Sequence, residues 1–163
     1  MKRRTLITAG LSSALLFCLL ASYAGAAGQK PEPRSAGLRL VGTWDVTLLF
    51  GPCPNVPPVP VPALHTYSKD GTMEEVSGGS LFRSDALGSW EHVRDQEYAA
   101  RYKFYIFNAA GQRILTEVVT SRIELQGHDA FEATATFDLF APDGITPIPG
   151  SQDCPITITG TRF

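Results

Sequence analysis

Charge of either sign is scarce in this sequence, with 14 Lys and Arg against 16 Asp and Glu among 163 residues. The resulting net charge of −2 argues against a nucleic-acid binder, since such proteins carry a basic surface. The sequence has no glycine-rich phosphate-binding loop and no Gly-x-Ser-x-Gly hydrolase motif. It also lacks a long helical pattern of apolar residues, which argues against a helical fold. The 44% hydrophobic content excludes wholesale disorder, and the length provides for one domain.

The N-terminus has the features of a secretory leader. Basic residues at positions 2–4 precede an apolar run over 6–20, and the small residues at 24–26 resemble a cleavage site. The alternative is a transmembrane anchor, but a span needs about 20 apolar residues, more than this run supplies. We therefore expect cleavage of a signal peptide, residues 1–26, and export to the periplasm or the cell exterior, with no membrane span left. Residues 27–37 are predicted to form a flexible lead-in.

The chain that remains after cleavage is mildly acidic and has two cysteines. It keeps 11 Lys and Arg against 16 Asp and Glu, a net charge of −5, which disfavours nucleic acid and anionic membrane surfaces as partners. In an exported protein, the pair Cys53 and Cys154 most simply forms one disulfide. A metal site would need further Cys or His at ligand spacing, so we predict no metal.

From Leu38 to Phe163, apolar and polar residues alternate with a period of two, which predicts β-strands. Eight strands are expected, at residues 38–50, 63–68, 72–77, 87–93, 97–107, 112–125, 130–140 and 156–163. Most of them are joined by hairpins, so we predict an all-β antiparallel meander. Closing that meander into an eight-stranded up-and-down barrel removes both edges, whereas an open sandwich is the alternative.

The cysteines and the connection lengths predict how the barrel closes. If the first and last strands pair antiparallel, Cys53 and Cys154 become neighbours. Three short turns would lie at one end, and three long connections at the other, two of them rich in proline. Proline stiffens a loop, so we expect a ligand mouth beneath the long loops.

Gly42-Thr43-Trp44 on the first strand resembles the Gly-x-Trp motif of the lipocalin and wider calycin families. Arg162 on the last strand corresponds to the late arginine that packs across the tryptophan ring in those families. The resemblance implies a lipocalin-like barrel over residues 38–163, in which Gly42, Trp44 and Arg162 form a structural floor. The helix that follows the lipocalin barrel has no counterpart in this range.

Aromatic and aliphatic side chains on the predicted inner faces are the candidates for a ligand pocket. The ones nearest the long loops are Phe50, Phe104, Ile106, Phe137 and Leu139. Such an interior can hold an apolar or planar ligand, or its side chains can simply fill the barrel.

Glu117 is the candidate for chemistry, because it shares a strand face with Leu115 and Val119. A buried carboxyl with a raised pKa can act as a general acid or base, or bind a polar group of a ligand. The alternative is a β-bulge that turns Ile114 and Val118 inward and Glu117 outward.

These features predict non-catalytic binding of a small apolar molecule, without a cofactor, by a monomer or weak homo-oligomer. One alternative is a barrel enzyme similar to the allene-oxide-cyclase group, which guides cyclisation or isomerisation of an apolar substrate largely by shape. Another is a protein-interaction module with a filled interior.

Overall fold

The computed structural model describes residues 38–53, 59–78 and 82–163. In this part of the chain eight antiparallel strands close into a barrel in sequence order, which confirms the predicted all-β meander. The strands are β1 (Gly42–Phe50), β2 (Pro60–Tyr67), β3 (Thr72–Ser77), β4 (Ala86–Arg94), β5 (Glu97–Phe107), β6 (Arg113–Leu125), β7 (Ala130–Phe140) and β8 (Cys154–Arg162). The predicted leader and lead-in, residues 1–37, lie outside the described residues. Within the ranges described, no helix has the length and apolar character needed to cross a membrane.

The alternating pattern of the sequence sets the inside and outside of the wall. On β5, Tyr98, Tyr102 and Phe104 are buried, whereas Arg101 and Lys103 between them are exposed. Successive side chains of a strand point to opposite faces, so a period of two places one set in the core and the other in solvent. The interior is therefore mainly apolar because the sequence alternates, and most charged side chains lie on the outer face; His65, Glu75 and Glu117 are buried exceptions.

β1 and β8 seal the barrel. They pair antiparallel from Trp44 opposite Arg162 to Phe50 opposite Ile156, which confirms the predicted closure. Just beyond this pairing, Cys53 and Cys154 form a disulfide with their Cα atoms 5.6 Å apart.

The two ends of the barrel differ as the connection lengths predicted. Short turns at 68–71, 95–96 and 126–129 close one end, which we call the floor end. Three longer connections and one short turn lie at the other, which we call the roofed end; they span 51–59, 78–85, 108–112 and 141–153.

Candidate functional site

Trp44 and Arg162 close the floor end. Trp44 is fully buried, and the Arg162 guanidinium carbon lies 4.2 Å from the centre of its ring. The same guanidinium donates hydrogen bonds to the carbonyl oxygens of Arg39, Val41 and His128. Because these carbonyls belong to the segment before β1 and to the turn after β6, Arg162 joins separate parts of the chain beneath the core.

Gly42 provides the space for that arginine. A Cβ atom at this position would lie 2.7 Å from Arg162 Nη1, and the backbone φ of +136° is one that other residues rarely adopt. The three floor residues thus form one packed unit at the end of the barrel opposite the long loops.

A cavity of about 200 Å³ opens at the roofed end. We call it the roof cavity, and its lining residues are Phe50, Val61, Ser77, Arg83, Phe104, Ile106 and Glu117. Three of the five predicted pocket residues, Phe50, Phe104 and Ile106, are among them. The other two are neighbours of this lining: the Phe137 ring packs edge-on against Phe50 with the ring centres 5.5 Å apart, and Leu139 on β7 is the register partner of Glu117.

Glu117 faces the inside of the barrel. Its exposed fraction is 7%, whereas Ile114 is 41% exposed, so the alternative with Ile114 inward is wrong. A register shift does occur on this strand, but it lies at Ile114, where Ile106 pairs with Leu115 and Phe107 with Arg113. Because the register shift precedes Glu117 in the sequence, alternate residues from Leu115 onward along β6 still point into the barrel.

Among the residues that the structure describes, the buried Oε1 atom of the Glu117 carboxyl has no hydrogen-bond partner. Burial raises the pKa of Glu117 to about 8; the charge of Arg83 opposes this rise and that of Glu75 adds to it. The carboxyl is therefore mainly protonated at neutral pH, and a protonated carboxyl can donate as well as accept a hydrogen bond.

Arg83 enters the cavity from the connection between β3 and β4. The backbone of this segment pairs with β5 through a bridge to Ile106 and a 2.9 Å hydrogen bond from Ser84 to Tyr105. The guanidinium carbon lies 3.5 Å from the centre of the Phe104 ring, and Nη2 donates to Glu75 at 2.7 Å. Its buried Nε has no hydrogen-bond partner in the described part of the chain.

Glu75 lies deeper in the barrel and connects Arg83 to a histidine. The carboxylate is fully buried, and His65 Nε2 lies 3.0 Å from its second oxygen. Burial alone would raise the pKa of Glu75, but the hydrogen bond and charge of His65 and the charge of Arg83 outweigh it and lower that pKa. His65 Nδ1 in turn lies 3.1 Å from the Tyr67 hydroxyl. This polar chain therefore stabilises an ionised carboxylate inside the barrel.

Glu75 and Arg83 were not predicted from the sequence. The alternation on β3 could have identified Glu75, because Glu75 shares the buried face of that strand with Met73, whereas Glu74 and Val76 lie on the exposed face. Arg83 had no comparable signal, since it lies in a connection without a periodic pattern. The described ranges contain no group of three or more His, Cys, Asp or Glu placed to hold a metal ion.

Aromatic rings pack the barrel beneath the roof cavity. Trp44 and Phe131 make an edge contact at 5.1 Å, and Tyr67 packs against Trp90 at 6.1 Å. Burial, with a further contribution from Glu75, raises the pKa of Tyr67, so this hydroxyl stays protonated. The sequence left open whether side chains fill the interior or leave a cavity. Both occur, because aromatic side chains fill the lower part of the barrel and the roof cavity lies above them.

A larger depression lies on the outer wall. It measures about 390 Å³ and is lined by residues including Leu87, Arg101 and Lys103. These three side chains are exposed, with Leu87 at 62%. A ligand there would stay largely in water, so the roof cavity is the better candidate site.

Comparison with known proteins assigns no family to this chain. No protein-family model and no curated protein matches the sequence. A solved structure described as "Structure of EF1p2_mFAP2b bound to DFHBI" is 14% identical, with a TM-score of 0.47, covering 76% of this chain and 91% of that one. Of the predicted lipocalin-like barrel, the structure shows the closed eight-stranded antiparallel architecture.

Proposed function

We propose that this protein binds a small, mostly apolar ligand in the roof cavity. The observation that carries the proposal is an aromatic and aliphatic lining around the unpartnered, buried Oε1 atom of Glu117. Buried polar groups normally have a partner, so an unpaired one at a cavity wall supports a guest that completes it. The same cavity argues against an interaction module with a filled interior.

The volume of the cavity limits the size of the ligand. About 200 Å³ is less than the roughly 300–1,000 Å³ of sites for drug-sized molecules. It exceeds the ~150 Å³ of an engineered apolar cavity that binds benzene. We therefore propose a ligand built on a single ring or a short chain.

We further propose that the protein works after export, as a lipocalin-like binding protein and as a monomer or weak homo-oligomer. The Cys53–Cys154 disulfide supports an oxidising compartment, where such bonds persist. Cleavage of residues 1–26 is the matching prediction from the sequence, and N-terminal sequencing of the protein isolated from its own cell envelope tests it.

Binding of toluene, followed by NMR, tests the proposed site. Ile106→Trp places a large ring in the roof cavity and should abolish saturable binding. Ile114→Trp makes the same change on the exposed face of β6 and should leave binding unchanged. Native mass spectrometry of protein purified from its own envelope should show a bound small molecule. Absence of toluene binding together with an empty mass spectrum would refute the proposal.

A second candidate function is an enzyme of the cyclase or isomerase type. The specific observation in its favour is the pKa of about 8 for Glu117, which suits a general acid or base near neutral pH. In that case wild-type protein should convert the compound that it retains. Glu117→Gln should bind the compound without converting it, whereas a simple binding protein would return it unchanged in both forms.

A further inference from the structure

We infer that the roof cavity selects ligands with an uncharged hydrogen-bond acceptor, such as a small aromatic ketone, whose oxygen lies between Glu117 and Arg83. This inference rests on the proposed function and specifies the chemistry of the ligand. It starts from two polar groups that line one cavity, Glu117 and Arg83, whose buried Oε1 and Nε atoms find no partner within residues 38–53, 59–78 and 82–163.

The two groups do not satisfy each other. Arg83 directs Nη2 to Glu75, at 2.7 Å, and this is its ion pair among the described residues. An Arg Nε–H can only donate, and a protonated carboxyl has an O–H to donate. The cavity therefore offers two donors, and a carbonyl oxygen with two lone pairs accepts from both. Apolar guests would leave both donors unpaired, which is unfavourable in a buried site.

The balance of charge disfavours an ionic ligand. Arg83 and Glu75 compensate each other, and burial keeps Glu117 mainly uncharged at neutral pH. A carboxylate or an ammonium group would then be buried without a counterion, at a large desolvation cost. Of the groups that face Glu117, Arg83 comes from the β3–β4 connection, Glu75 from β3 and the Tyr102 hydroxyl from β5.

The walls of the cavity favour a flat ligand. The guanidinium carbon of Arg83 lies 3.5 Å from the centre of the Phe104 ring, so a cation and an aromatic ring together form part of the wall. Val61 and Ile106 supply aliphatic surface around it, and Phe50 adds a second ring. A planar aryl group fits such a lining while its carbonyl reaches the two donors.

Four ring-sized probes that differ in one group test the selection. They are acetophenone, its isostere α-methylstyrene with C=CH₂ in place of C=O, the cation 1-phenylethylamine and the anion benzoate. Dissociation constants are measured by NMR titration at pH 6. Acetophenone should bind about tenfold more tightly than α-methylstyrene, as expected for buried hydrogen bonds. The two ions should bind more weakly than either.

Changes of pH and of Glu117 identify the donor. The preference for acetophenone should fall as the pH rises from 6 to 9.5, through the Glu117 pKa of about 8. Glu117→Gln keeps an N–H donor and should retain the preference at both pH values. Glu117→Leu removes one of the two donors and leaves Arg83, so it should reduce the preference to about threefold. The control Glu124→Leu, at an exposed site on β6, should behave as wild type.

Each other outcome overturns a defined part of the reasoning. Equal affinity for acetophenone and α-methylstyrene would overturn the selection for an acceptor while leaving apolar ligand binding intact. Tightest binding of 1-phenylethylamine would mean that the site uses an ionised Glu117 and would overturn the inference. If none of the four probes binds, both the inference and the proposed function fail. Should Glu117→Leu not fold, the pH dependence of wild type against Glu117→Gln decides.

Discussion

Replacing Glu117 by Gln should remove a pH dependence of stability that this single carboxyl creates. Burial raises the pKa of Glu117 from 4.5 to about 8 in the folded protein. Between these two pH values the unfolded chain releases the proton and the folded chain keeps it. The proton count is then higher in the folded state, so the free energy of unfolding falls as the pH rises.

The size of this effect follows from the two pKa values. Each pH unit in the interval contributes about 1.36 kcal/mol, which totals roughly 5 kcal/mol between pH 4.5 and pH 8. The contribution is fully present below pH 4.5 and is lost by the time the pH has passed 8. Glu117→Gln has nearly the same shape and cannot ionise. It should therefore match wild type near pH 4.5 and exceed its stability by several kcal/mol at pH 9.

Urea unfolding with the disulfide intact measures this difference. The buried Trp44 and Trp90 report the transition by fluorescence at pH 5, 7 and 9. Other titrating groups also contribute a pH slope, so the decisive quantity is the difference between wild type and variant. Glu124→Gln, an exposed change on β6, should follow wild type at every pH. Equal slopes for wild type and Glu117→Gln between pH 5 and 8 would refute the reasoning.

Three further substitutions test the packing, each by urea unfolding at neutral pH. Arg162→Ala should lower the free energy of unfolding by about 2–4 kcal/mol, because it removes three hydrogen bonds to backbone carbonyls and a cation over an indole ring. Glu75→Gln should lower it by about 3–5 kcal/mol, since Arg83 is left as a buried charge without its counterion. Replacing Cys53 and Cys154 by Ser together should lower it by up to about 4.7 kcal/mol, as a loop of this length predicts on the chain-entropy model.

Matched controls separate these effects from general sensitivity. Arg101→Ala and Glu74→Gln change exposed residues of β5 and β3, and we expect changes within about 0.5 kcal/mol. A loss at Arg101→Ala as large as at Arg162→Ala, or at Glu74→Gln as large as at Glu75→Gln, would contradict the packing argument. Wild type unfolded under reducing conditions should reproduce the Cys53 and Cys154 double variant, and a clear difference would mean that the Ser side chains act by themselves.

Local features of the sequence were enough to predict the strands, their order and the closure of the barrel. The predicted bounds of β3, β5 and β7 agree with the structure. The prediction for β1 began too early, at Leu38: residues 38–40 form a turn whose Leu40 carbonyl accepts a 2.8 Å hydrogen bond from Trp44 Nε1. That carbonyl is therefore used by a side chain rather than by a neighbouring strand.

The candidate site was predictable only in part, because its residues come from distant positions in the sequence. Alternation along the strands and closeness to the long loops were enough to predict that Phe50, Phe104 and Ile106 line the pocket. The position of Glu117 depended on whether the register shift came before or after it, which pairing with β5 decides. Arg83 lies in the connection between β3 and β4, where apolar and polar residues do not alternate, so the sequence does not indicate that its side chain points inward.

The sequence by itself thus determined the barrel wall of this protein. Apolar and polar residues that alternate with a period of two, short hairpins and a cysteine pair specify a closed antiparallel barrel with long loops at one end. Only the tertiary structure decided what the wall encloses. The ion pair of Arg83 with Glu75 and the unpaired carboxyl of Glu117 arise where three separate segments meet. Inward direction is a local property of a strand, whereas the partner that an inward polar group finds depends on cross-strand register and loop packing.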